Sequence, residues 1–198
     1  MLEEKGSKLL HWNYFLALES DLAHLLRYVE FSIENYKTYS LELAHLLFAA
    51  ASEVDVVLKG LCKKIKPDSN PENIKEYRGI IAPAFPKLCE MKIRIPRYGL
   101  QITPWDNWQR DKSPGWWGAY NDVKHKRDEF FHQAALQQTI AAVAGLFAVI
   151  LYYYREEAES GELLPPTQLL SPQEDYIGGV TAASGNLAII YKIPQQSA

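Results

Sequence analysis

Residues 115–132, "GWWGAYNDVKHKRDEFFH", hold most of the side chains in this chain whose types and spacing could carry chemistry. Lys124, His125 and Arg127 fall within one helical turn, and Asn121 lies one turn before His125. Lys and Arg neutralise phosphate, while amide and imidazole groups add hydrogen bonds to its oxygens. An imidazole could also transfer a proton near neutral pH, as cleavage of a phosphodiester requires. The cluster therefore indicates a phosphate-binding site, with a solvated basic helix face as the alternative.

Arg127 also falls on the apolar stripe predicted for this helix, four residues after Val123 and three before Phe130. Burying a guanidinium group is costly unless a carboxylate meets it. Glu53 lies beside an apolar stripe of another predicted helix in the same way. We therefore predict a buried or half-buried pair between Glu53 and Arg127. Such a pair could fix the register of two helices, or it could belong to a functional site.

Four tryptophans, Trp105, Trp108, Trp116 and Trp117, are crowded into a short segment, and Tyr120 follows one turn after Trp116. Aromatic side chains beside basic ones can stack on unpaired bases, which makes Trp116 and Tyr120 candidate binding residues. The more common role of such a cluster is to anchor a loop on the core.

His125, Glu129 and His132 follow one another at steps of four and three residues, a spacing that could ligate a metal. The pattern is not HExxH, and the chain has no phosphate-binding glycine loop or serine elbow. We predict neither a metal nor a cofactor. Cys62 and Cys89 form no CxxC motif, so we expect buried or inert thiols and a reducing compartment.

The net charge of −3 argues against a strongly basic nucleic-acid-binding protein. The charges are nevertheless unevenly distributed, since residues 57–132 carry 15 basic and 9 acidic side chains, a balance of +6. This asymmetry indicates either a surface for an anionic partner or two differently charged faces that solvate separate helices.

Apolar residues spaced by three and four predict one long helix from Leu9 to Tyr36. A second helix is predicted to begin after Ser40, a good N-cap, and to end before Pro67. Helices joined by so short a link should lie antiparallel. The prolines of residues 73–114 predict an insertion of short helices and loops.

Helical character returns from Gly115 to about Arg155, a length that requires a turn near residues 128–134. The apolar run Ile140–Tyr154 is shorter than a membrane span, which favours a buried central helix. After it come a polar, Pro-rich connector and two apolar segments around "ASGN", a pattern typical of a β-hairpin.

The predicted fold is therefore mainly α: an antiparallel bundle of four to five main helices with a Pro-rich insertion and a small C-terminal β-hairpin. We divide the chain into a helical domain, residues 1–157, and a connector with hairpin, residues 158–198. The charged start "MLEEKGSK" lacks the apolar core of a signal peptide, so a cytoplasmic protein without a membrane partner is expected.

Within "KRDEFFH", Arg127 and His132 stand as Arg, four residues, then His, which resembles the motif of the HEPN superfamily. The stretch "WWGAYNDVKHKR" followed by an apolar helix is similar to a group of uncharacterised bacterial proteins. The resemblance implies a compact helical bundle, often dimeric, that acts as a metal-independent ribonuclease in antiphage or toxin–antitoxin systems. It also implies that Arg127 holds the scissile phosphate and His132 assists proton transfer. Asp128 departs from the family, which commonly has Asn or another polar residue there.

The function expected from these features is binding of RNA or a nucleotide by Arg127, His132 and His125, helped by Asn121 and Lys124, with RNA cleavage in a homodimer. An antitoxin-type protein partner would fit the same setting. The alternative is a non-catalytic interaction or dimerisation module in which Glu53 and Arg127 only lock the helices together.

Overall fold

The computed structural model describes residues 9–183 and 185–194. The segment "MLEEKGSK", from which no signal peptide was expected, lies outside these ranges. Seven α-helices form within the described residues, and the predicted mainly helical class is confirmed. They are α1 Leu10–Leu25, α2 Leu41–Ile65, α3 Ile74–Ala84, α4 Gly115–His125, α5 Arg127–Phe130, α6 Leu136–Tyr153 and α7 Arg155–Ser160.

The start and end of α2 follow the sequence signals closely. The Ser40 Oγ accepts a hydrogen bond from the backbone N–H of Leu43 at 3.2 Å, which caps the first turn. The helix ends at Ile65, just before Pro67. The prediction for this helix is confirmed, since a serine cap and a proline stop are both local signals.

The single long helix predicted from Leu9 to Tyr36 is wrong, because α1 ends at Leu25. Two turns follow, and Ile33–Asn35 form a short 3₁₀ helix. The linking segment packs on the core through its own buried side chain, Phe31, whose ring centroid lies 5.6 Å from that of Tyr98.

Helix α6 is the buried central helix that its sequence predicts. It is long and apolar enough to cross a membrane by length and composition alone, but most of it is buried by the rest of the protein. Packing of this kind is typical of the core helix of a soluble protein. Two buried residues of α6 carry hydroxyl groups, and both are hydrogen-bonded. Thr139 donates to the Leu43 carbonyl at 3.0 Å, and the Tyr152 hydroxyl lies 3.0 Å from that of Tyr176. No buried polar side-chain atom of α6 therefore lacks a partner in the described residues.

Contacts at both ends fix how α1, α2 and α6 run. The starts of α2 and α6 meet at an antiparallel bridge between Tyr39 and Ala135, and their ends meet where Lys64 Nζ donates to the Tyr153 carbonyl. These two helices therefore point the same way. The start of α1 lies beside the middle of α2 and the end of α6, where His11 meets Glu53 and the Tyr153 ring, and the end of α1 lies near the start of α2. Helix α1 thus runs antiparallel to α2.

The insertion contains strands that the sequence analysis did not predict. β1 Ile93–Ile95 pairs antiparallel with β2 Leu100–Ile102 and with β3 Ser171–Pro172. Gly99 makes the tight turn between the first two strands with φ of 62°, a left-handed conformation that suits glycine. Strands of two or three residues are too short for a period-two pattern to be read from sequence.

The C-terminal segment is packed on the helices. β4 Ile177–Ala183 and β5 Asn186–Tyr191 form the predicted antiparallel hairpin. Before it, the connector is held by the buried carboxylate of Glu19, which accepts three successive backbone N–H groups, those of Gln168, Leu169 and Leu170, at 2.8 to 3.0 Å. The Trp12 indole also donates to the Pro165 carbonyl at 3.2 Å.

Candidate nucleic-acid interface

A turn was predicted near residues 128–134, but the helix breaks at Lys126, two residues earlier, and this break decides where Arg127 lies. Lys126 leaves the helical conformation with φ of −144° and ψ of 60°, so α4 ends at His125. α5 and a 3₁₀ turn at Phe131–Gln133 then lead into α6. Because the backbone changes direction at Lys126, the stripe of α4 does not continue to Arg127.

The prediction of a buried pair between Glu53 and Arg127 is therefore wrong. Arg127 is exposed, and its guanidinium carbon lies 5.4 Å from the centroid of the Phe48 ring. Glu53 instead pairs with His11, whose Nδ1 lies 2.5 Å from Glu53 Oε1, and both side chains are mostly buried. The prediction failed because helical spacing was extended through a residue that breaks the helix.

The exposed residues Lys124, His125, Lys126 and Arg127 form a basic turn on the surface. Each of the three cations lies over an aromatic ring, and these rings belong to Tyr120, Phe130 and Phe48, at 5.4, 6.0 and 5.4 Å respectively. Such stacking orders a cation while leaving N–H donors available.

Nearby acidic side chains partly offset the positive charge of the basic turn. Asp122, Asp128 and Glu129 are also exposed, and Lys126 Nζ lies 3.6 Å from a carboxylate oxygen of Glu129. In the described residues no carboxylate pairs with Arg127. Arg127 is thus the cation of this turn that is best able to meet a phosphate.

A groove lies between the starts of α4 and α6, whereas the basic turn lies at the other end of α4. Its two adjoining depressions share Tyr36, Gly115, Gln137 and Gln138, and we call them together the α4–α6 groove. One end, about 520 Å³ in volume, is lined by Lys37, Tyr39, His132 and Gln133. The other end, about 330 Å³, is lined by Gln101, Thr103, Asp106 and Trp116, among others.

Backbone hydrogen bonds hold the walls of the groove in place. The first turn of α6 would leave its N–H groups without partners, but Leu136 N donates to the Thr38 carbonyl at 2.8 Å. Gln137 N likewise donates to the Tyr36 carbonyl at 3.1 Å. The segment before α2 is thereby tied to the start of α6, and its side chains line the groove.

The predicted site residues are only partly brought together. His132 lines the groove, whereas His125 and Lys124 lie on the basic turn outside its lining. Asn121 donates to the Trp117 carbonyl at 3.0 Å and lines a separate depression with Asp55. The structure thus places His132, rather than His125, at the groove.

The tryptophan cluster is a packing feature, as the more common interpretation holds. All four indoles are buried, and the Trp105 and Trp116 rings meet edge to face at 5.2 Å. The Trp105 and Trp116 N–H groups donate to the carbonyls of Gly145 and Pro104. Trp116 is only 2% exposed, so it is not a stacking surface for a base. Tyr120 is half-buried beneath Lys124.

Two further predictions concern metal and thiol chemistry. Within residues 9–183 and 185–194, no group of three His, Cys, Asp or Glu side chains is arranged to hold a metal ion, and this includes His125, Glu129 and His132. Cys62 and Cys89 are both free and buried, as predicted. Burial raises the pKa of each thiol to about 11, which keeps both unreactive at neutral pH.

The sequence analysis missed the residues that line the groove with His132, above all Tyr36, Lys37, Gln101, Gln137 and Gln138. They come from three separate chain segments, and each alone resembles an ordinary surface residue. No protein-family model, curated protein or solved structure matches this chain. The case for a function therefore depends on the geometry of the site.

Proposed function

We propose that this protein binds single-stranded RNA at the basic turn and the α4–α6 groove, and that it cleaves RNA without a metal in a HEPN-like manner. The proposal is carried by two features five residues apart in the chain. Arg127 is exposed and has no carboxylate partner in the described residues, and His132 lines a groove together with Lys37. Cations with spare donors next to a concave, partly aromatic surface suit a phosphate backbone.

In this proposal the helices form a bundle of the HEPN type, with α1 antiparallel to α2. Arg127 neutralises the phosphate, and His132 accepts or donates the proton that moves as the 2′-hydroxyl attacks phosphorus and the 5′-oxygen leaves. His125 and Lys124 would contact neighbouring phosphates from the basic turn. A cytoplasmic protein of a defence or toxin–antitoxin system, with an antitoxin-type partner, would fit this activity.

The test is binding of purified protein to labelled single-stranded RNA at two salt concentrations, followed on a denaturing gel. Arg127→Ala should weaken binding at low salt and reduce the steepness of the salt dependence by about 0.7 in log–log slope, the amount expected for one lost contact to single-stranded nucleic acid. Arg27→Ala is the matched control, since Arg27 is an exposed arginine that does not line the groove.

Cleavage is tested separately with His132→Ala and His125→Ala. Loss of cleavage with binding retained in His132→Ala, and little change in His125→Ala, would support the assignment of His132. A wild-type protein that is folded but neither binds nor cleaves RNA would reject the proposed function.

The alternative function, a dimerisation module, is favoured by a different observation. Helices α1 and α2 share an exposed face that carries large apolar side chains, which we call the α1–α2 face. Four of its large apolar residues lie on the two helices, and Tyr28 lies in the turn after α1. Their exposed fractions are 63% for Leu10, 43% for Tyr14, 78% for Tyr28, 60% for Leu41 and 49% for Val56. Exposed apolar side chains concentrated on one face are typical of an interaction surface.

We propose that a second copy of this chain covers the α1–α2 face. A groove of about 710 Å³ on it is lined by leucines together with Asp21, His24, Glu42 and His45. The groove thus carries two acidic and two imidazole side chains, and the acidic groups of one copy can meet the imidazoles of the other across a two-fold axis, as an isologous dimer requires.

The mass of the particle in solution tests this assembly. The wild type should have about twice the chain mass of 22.6 kDa, and Val56→Glu with Tyr28→Glu should reduce it to one chain. Val180→Glu, a change at an equally exposed apolar residue of the hairpin, should leave it unchanged. A monomeric wild type at high concentration would reject the dimer without affecting the RNA-binding proposal.

A further inference from the structure

The smaller end of the α4–α6 groove has an unusual lining, because three glutamines converge on it. Gln101 comes from β2, and Gln137 and Gln138 come from the first turn of α6. Gln101 and Gln137 are exposed and Gln138 is half-buried, and within the described residues no protein group is hydrogen-bonded to their side-chain amides. Each amide therefore retains one carbonyl acceptor and two N–H donors for a ligand.

The remaining lining suits a flat and neutral group. Pro104, Ile140 and Ala141 supply apolar surface, and Tyr36 and Thr103 add hydroxyl groups. The volume of about 330 Å³ is within the range of small-molecule sites in proteins.

The two ends of the groove differ in the charged side chains that line them. In the smaller end the ionised side chain is Asp106, which pairs with Arg110 at 2.9 Å. An anion is therefore disfavoured there, while the larger end offers Lys37 and His132. A ligand with an anionic part and a neutral, planar, hydrogen-bonding part would place the anion at Lys37 and the planar part among the glutamines.

We propose that the glutamine end of the α4–α6 groove binds a nucleobase of the RNA by its hydrogen-bonding edge. A glutamine amide can donate to one position and accept from the adjacent one, and every base of single-stranded RNA presents such a pair of positions on its Watson–Crick edge. The inference rests on the proposed function, since it adds recognition of a base to the groove in which Lys37 and His132 would meet the phosphate.

The experiment compares oligo(U) with an abasic RNA of equal length by fluorescence anisotropy at one salt concentration. The ratio of their two dissociation constants is the readout, because it cancels effects common to both RNAs. For the wild type we expect oligo(U) to bind roughly tenfold more tightly than the abasic RNA, within the range of one good bidentate contact. Gln137→Ala combined with Gln138→Ala should bring the ratio towards one by weakening oligo(U), with little effect on the abasic RNA.

Two control variants separate the causes. Gln133→Ala changes a glutamine at the larger end of the groove and should leave the ratio as in the wild type. Arg127→Ala should weaken both RNAs equally and preserve the ratio. Folding of each variant is checked by its melting temperature. Gln101→Ala tests the same site with a substitution on β2 instead of α6 and should change the ratio in the same direction.

The outcomes distinguish this inference from the function on which it rests. If both RNAs bind and Arg127→Ala weakens them, but the glutamine variants keep the wild-type ratio, base recognition at this site is rejected and RNA binding stands. If neither RNA binds to the folded protein, the proposed function itself fails and the inference fails with it.

Discussion

Glu19 and Arg127 show two opposite ways in which this protein treats a charged side chain next to its core. Glu19 is 3% exposed, and its two oxygens accept three backbone N–H groups of the connector. Arg127 is exposed, and its guanidinium lies over Phe48 without a carboxylate among the described residues. The Glu19 carboxylate is hydrogen-bonded within the protein through both oxygens, whereas the Arg127 guanidinium keeps N–H donors for a partner. Burial with complete hydrogen bonding therefore marks structure, and exposure without a partner marks a candidate for binding.

The largest effect on stability should come from Glu19→Gln. The amide keeps one acceptor oxygen but turns an N–H₂ group towards backbone N–H donors, which leaves buried groups unsatisfied. We expect the free energy of unfolding to fall by about 2 to 4 kcal/mol, measured by urea denaturation.

Glu30→Gln is the matched control for that change, since Glu30 is exposed and its carboxylate has no hydrogen-bond or ion-pair partner within the described residues. It should alter stability by less than about 0.5 kcal/mol. Equal effects of the two substitutions would show that the hydrogen bonds of Glu19 contribute no more than an exposed charge.

A smaller difference in stability is expected between substitutions at two buried tryptophans of the core. Trp105 donates its indole N–H to the Gly145 carbonyl at 3.1 Å, whereas the Trp108 N–H has no partner among the described residues. Phenylalanine at either position leaves space, but only Trp105→Phe also removes a satisfied hydrogen bond. We expect Trp105→Phe to cost about 1 kcal/mol more than Trp108→Phe in chemical denaturation. A larger loss for Trp108→Phe would contradict the comparison.

The parts of the fold that sequence predicted depend on local signals. Ser40 and Pro67 bound α2, and the apolar residues of α6 mark it as a core helix because these features act within a few residues. The turn before α6 was predictable from length, because one helix spanning residues 115–155 would be too long for a compact domain.

The parts that sequence could not predict depend on contacts between distant segments. The Glu53 carboxylate meets His11 rather than Arg127 because Lys126 breaks the helix, and no residue type at that position forces such a break. The groove is likewise assembled by Tyr36, Gln101 and Gln137, which come close only when the chain before α2 bonds to the start of α6. Periodicity carries no information on such pairings.

The smallest stability effect expected is that of Arg127→Ala, and it tests the comparison from the other side. Substitutions at exposed positions without a partner usually change stability by less than about 0.5 kcal/mol, so the melting temperature should stay close to that of the wild type. RNA binding, measured on the same sample, should nevertheless weaken. Retained stability with lost binding is the result that a structural arginine could not give, because a residue that locks helices together must lower the melting temperature when it is removed. If Arg127→Ala instead destabilises the protein as strongly as Glu19→Gln, Arg127 belongs with the structural charges and the proposed interface loses its central residue.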